Sequence, residues 1–203
     1  MLSGSALLLA LALVLSGSAL RGAPFAYADG GGPLGPLAAG TVSLLPPTTD
    51  ASRWSATFGS MLLCRLGGDQ VTLQDVRPNW AGAPVPTDIV IRSASVVSPA
   101  PHAQTPHNAP YPTGSLRGDP TKLPGTFAAP EGYAVTQPCE PEARDFSEIL
   151  VTMHAGPAGA SIRSLTVDYL IDGRPARTTV PSSFTACGTA IDEPDICPSA
   201  AHM

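Results

Sequence analysis

Residues 165–180 constrain this chain more than any other segment. Asp172-Gly173 stands between two alternating runs, and an Asp-Gly pair readily takes the positive φ angles that a two-residue hairpin turn requires. With that dipeptide at the turn, Ile171 pairs with Arg174, Tyr169 with Ala176, Val167 with Thr178 and Leu165 with Val180, which makes one largely apolar face. The other face pairs Asp168 with Arg177 and Thr166 with Thr179. An opposite-charge pair and a hydroxyl pair directly across a ladder suit a solvated surface, so both faces agree on one register. No stretch of ten or more residues after residue 28 has the 3.6-residue spacing of an amphipathic helix, and 23 prolines interrupt the chain.

Other segments read as strands. Residues 60–66 and 69–76 flank Gly67-Gly68, which predicts a second hairpin with Leu66 facing Asp69, Cys64 facing Val71 and Leu62 facing Leu73. Residues 41–45, 88–97, 133–137 and 148–154 are further strand segments, the last with Ile149, Val151 and Met153 on one face. Six or seven short strands in roughly 150 residues predict an all-β fold, an antiparallel immunoglobulin-like β-sandwich. Trp80 follows Cys64 by sixteen residues but lies in a turn-like Pro-Asn-Trp-Ala-Gly context, unlike the core Trp of antibody domains.

The first segment reads as an address. Residues 6–15 are continuously apolar, and Ala26-Tyr27-Ala28 has the small-x-small form of a cleavage site. The run is about half of the roughly 20 residues that span a bilayer, so a cleaved signal peptide over 1–28 is expected, with a second cut site after Ala19. Residues 29–50 then form a flexible Gly/Pro/Ala-rich leader and 51–203 a single β-sandwich domain. Cys64, Cys139, Cys187 and Cys197 all follow the signal, and an even count in an exported chain implies two disulfides. Three pairings are open. Nine residues separate Cys187 from Cys197, which favours that pair and leaves Cys64 with Cys139. Loop-closure entropy assigns the long loop about 4.5 kcal/mol and the short one about 3 kcal/mol.

Charge selects no partner class: 11 basic and 16 acidic residues give a formal charge of -5, which does not favour nucleic acid. Eight prolines between 98 and 131 predict a long Pro-rich loop, read as an extended connection ahead of a binding loop. His102, His107, His154 and His202 are the only histidines. No Gly-x-Ser-x-Gly elbow accompanies them, so nucleophilic catalysis is not expected. A copper or zinc site built from His102, His107 and His154, with Met153 or Met203 as soft ligands, is the alternative. Against it, strand alternation turns His154 away from Met153 and Cys-x-x-Cys pairs are absent. Glu140, Glu142, Asp192 and Glu193 sit in Pro-containing loops and read as solvated surface. Arg117-Gly118-Asp119 spells an adhesion tripeptide, of a length that recurs by chance.

Several segments together carry a resemblance. Gly132-Tyr133-Ala134-Val135-Thr136 precedes Pro138-Cys139; Glu148-Ile149-Leu150-Val151, Val167-x-Tyr169, Asp172-Gly173-Arg174 and Cys187-Gly188 follow. Over about residues 55–190 the chain resembles small exported β-sandwich proteins of high-GC actinobacteria. The resemblance implies a fold and a compartment, not a site. The expectation is therefore a non-catalytic protein, secreted or cell-wall associated, without a cofactor or a membrane span after cleavage. It would bind an unidentified protein or cell-envelope partner through its loops.

Overall fold

A computed structural model describes residues 26–27, 33–34, 40–49, 51–95, 113–140, 144–191 and 196–197. The strands are β1 (Ala26–Tyr27), β2 (Gly40–Leu44), β3 (Ala56–Leu63), β4 (Val71–Trp80), β5 (Thr87–Ser95), β6 (Ser115–Arg117), β7 (Thr126–Ala128), β8 (Ala134–Val135), β9 (Asp145–Met153), β10 (Ala160–Ile171), β11 (Arg174–Val180) and β12 (Ser182–Ala186). They form two sheets packed face to face, an all-β sandwich with no α-helix among the described residues. In the first sheet β10 lies between β4 and the consecutive β11 and β12; β8 lies outside β4, and β1 and β2 add parallel strands outside β11 and β12. The second sheet runs β6-β3-β9-β5-β7 and is antiparallel throughout.

The Asp172-Gly173 hairpin forms in the expected register, from Leu165 opposite Val180 to Ile171 opposite Arg174. Asp172 takes φ 48° and Gly173 φ 78°, the left-handed values that the turn needs. Inward residues Leu165, Val167, Tyr169, Ala176 and Val180 are buried. Ile149, Val151 and Met153 share the inner face of β9 as expected and are fully buried.

The hairpin expected at Gly67-Gly68 does not form. β3 belongs to the second sheet and β4 to the first, so the chain crosses between layers at this point. The inward face is also shifted by one residue: Met61 and Leu63 are buried, while Leu62 and Leu66 are exposed. A break in the β3–β9 register between Phe58 and Met61 is the cause, since an extra residue reverses which side chains face inward. Gly59 lies at that break, where an added Cβ would stand 2.7 Å from Leu150 Cδ2 and would collide with the Thr113 carbonyl.

The strand expected at 41–45 forms as Gly40–Leu44, paired along its whole length with β12, and Leu34, also within 29–50, is buried in the core. Within 98–131, residues 113–131 contain β6 on β3 and β7 on β5, each three pairs long. Main-chain pairing is thus what residues 113–131 supply; residues 96–112 lie outside the described set. The disulfides are Cys64–Cys139 and Cys187–Cys197, the pairing that the spacing favoured. The first joins the segment after β3 to the segment after β8, one from each sheet.

Candidate functional site

β3, β5 and β9 bring three polar side chains together at one end of the second sheet. His154 is the first residue after β9, and its main-chain N–H donates to the Pro86 carbonyl at 3.0 Å, beside the start of β5. Its ring lies between Asp88 and Ser55. Nε2 is 2.7 Å from Asp88 Oδ2, and Nδ1 is 2.9 Å from Ser55 Oγ. A carboxylate only accepts, so in the neutral ring Asp88 holds the proton on Nε2 and the Nδ1 lone pair accepts from the Ser55 hydroxyl. The order is hydroxyl, imidazole, carboxylate, with the ring nitrogens in exchanged roles relative to serine proteases. The His154 side chain is 46% exposed and Asp88 72% exposed, so solvent reaches the whole row.

The backbone around Ser55 is fixed. Trp54, buried, donates its indole N–H to the Gly156 carbonyl at 2.9 Å. Gly118 N–H donates to the Ser55 carbonyl at 2.8 Å, and the Thr57 hydroxyl donates to the Gly118 carbonyl at 2.8 Å. The neighbouring Arg117-Gly118-Asp119 tripeptide is held by its own side chains. Arg117 Nε donates to the Leu45 carbonyl at 2.9 Å. The Asp119 carboxylate accepts from the Thr121 N–H and hydroxyl, each at 2.8 Å, and the N–H bond foremost holds its pKa below the usual carboxylate range. Arg117 thus ties the tripeptide to the segment after β2, and Asp119 secures the local turn.

Ser55 and Asp88 escaped the sequence reading because no local motif contains them; Ser55 and His154 are 99 residues apart. His102, His107, His202 and Met203 lie outside the described residues, as do Glu142, Asp192 and Glu193. Both ring nitrogens of His154 are engaged, and its neighbour Met153 is buried in the core. Among the described residues no group of three or more His, Cys, Asp or Glu side chains could hold a metal ion. No described helix is long and apolar enough to cross a membrane.

The outer face of the first sheet carries the expected charge pair. Asp168 accepts from Arg177 Nε and from Arg77, which also lies 3.1 Å from Asp75. The Arg177 hydrogen bond is the main cause that holds the Asp168 carboxyl below its usual range. Alternating signs across this face neutralise one another, so it offers no anion site. No family model matches the chain, and no curated protein is significantly similar to it.

Proposed function

We propose that the protein is exported, loses residues 1–28 and with them the two-residue edge strand β1, and works in the extracellular space or at the cell wall as a binding or structural module of immunoglobulin-like type. The observation that carries this reading is the pair of disulfides, one of which ties the two sheets together. Such bonds persist in oxidising compartments and are rare in the cytosol. An inter-sheet bridge also favours the immunoglobulin-like assignment, although Trp80 lies at the end of β4 opposite Ile162 rather than against that bridge. The partner is a protein or a cell-envelope component, and the contact is assigned to the Pro-rich loop of 98–131, specifically to 98–112, because 113–131 is engaged in the fold.

The test is co-sedimentation of purified protein with isolated actinobacterial cell walls, for the native chain and for one with 98–112 replaced by a Gly-Ser linker of equal length. The native chain should sediment and the variant should not, with both disulfides intact in each. Equal sedimentation would remove 98–112 as the contact, and no sedimentation of either would remove the wall as the partner.

A further inference from the structure

We infer that Ser55 is an activated nucleophile that accepts acyl groups from small esters, with His154 as its base and Asp88 as the residue that orients the base. The inference adds chemistry to the binding role above and does not depend on that role.

Three separated segments converge on the arrangement: the residue before β3, the start of β5 and the residue after β9. Each link has hydrogen-bonding length, 2.9 Å from Ser55 Oγ to His154 Nδ1 and 2.7 Å from His154 Nε2 to Asp88 Oδ2. Such a row, nucleophile to base to orienting acid, is the geometric requirement for an activated hydroxyl. The Ser55 backbone is clamped by Gly118, and His154 by Pro86, so both groups are positioned before any substrate arrives.

In the reaction Ser55 Oγ attacks the acyl carbonyl carbon while its proton passes to Nδ1. The bond from that carbon to the leaving alcohol breaks, and His154 returns the proton to the departing oxygen. Water then attacks the acyl carbon with the same nitrogen as base, which releases the carboxylic acid and restores the Ser55 hydroxyl. His154 and Asp88 stand in solvent, so aryl esters with good leaving groups, which ask for little beyond the row itself, are the fitting substrates.

The test is the rate of covalent labelling of the oxidised, full-length chain by an alkyl fluorophosphonate, with the adduct mapped by peptide mass spectrometry and p-nitrophenyl acetate hydrolysis followed in parallel. The expected result is an adduct at Ser55 in preference to every other serine. Its rate should fall by about 100-fold or more in His154→Gln and by at least about tenfold in Asp88→Asn. Ser55→Ala should abolish both that adduct and the ester hydrolysis. Labelling spread over other serines, no Ser55 adduct, or a Ser55 rate unchanged in the variants would overturn the inference while leaving the binding role untouched. If His154→Gln fails to fold, Asp88→Asn, whose native side chain is 72% exposed, makes the same comparison.

Discussion

Arg92 and Glu148 face each other directly across β5 and β9 and form an ion pair of 3.3 Å, with side chains only 1% and 0% exposed. Thr113 seals it, accepting from Arg92 Nη1 at 2.7 Å and donating its main-chain N–H to Glu148 Oε2 at 2.8 Å. The Arg92 guanidinium carbon also lies 5.2 Å from the centre of the Phe146 ring. Burial lowers the Arg92 pKa, and the Glu148 charge opposes that shift.

Removing one buried charge strands the other, at a cost of about 3–5 kcal/mol. Glu148→Gln should therefore destabilise the protein strongly, lowering Tm by roughly 10 °C. Adding Arg92→Met should restore most of the loss, because the Gln carbonyl still accepts from Thr113. A urea-unfolding double-mutant cycle measures this, and additive losses would show that the two charges are not coupled.

The outer face of the second sheet depends on residues 113–131. Gly59→Ala would drive a methyl group against Leu150 and the Thr113 carbonyl. Overpacking of this kind costs about 1–3 kcal/mol, readable as a shift in the unfolding midpoint. Replacing 98–112 should leave that midpoint in place, whereas replacing 113–131 would uncover Arg92 and Glu148 and should unfold the domain. A stable domain lacking 113–131 would contradict the assigned packing.

Tyr169 is 1% exposed and its hydroxyl has no hydrogen-bond partner among the described residues, while burial raises its pKa. Tyr169→Phe removes an unsatisfied polar group at little loss of volume, so stability should rise by about 1 kcal/mol. A loss of stability in thermal unfolding would reveal a bond made by that hydroxyl.

Asp168 titrates below its unfolded value because of its bond to Arg177. A depressed carboxylate contributes stability above its unfolded pKa, near 4, and loses it as pH falls through the folded value. Asp168→Asn should therefore be less stable than the native protein at pH 7, and the difference should shrink by pH 3. A difference independent of pH would remove the carboxylate charge as its cause.

The hairpin of β10 and β11 was readable because turn chemistry, alternation and cross-strand pairs all specify one register. The β3–β4 connection was not: two glycines between apolar runs fit a hairpin and a crossover between sheets equally well locally, and only long-range pairing with β9 decides. Likewise β5 alternates poorly in sequence because Arg92 is buried on the outer face, where its counter-charge lies 56 residues away. Ser55, Asp88 and His154 illustrate the same limit, since each is an ordinary surface residue until the strands place them together.

Intact mass measurement on protein recovered from the culture medium, without reductant, tests the central claim of an exported, doubly cross-linked sandwich most directly. The account predicts a chain that begins at Asp29 and is four hydrogens lighter than its reduced form, with peptides linking Cys64 to Cys139 and Cys187 to Cys197. Protein confined to the cytosol with residues 1–28 attached and four free thiols would contradict it.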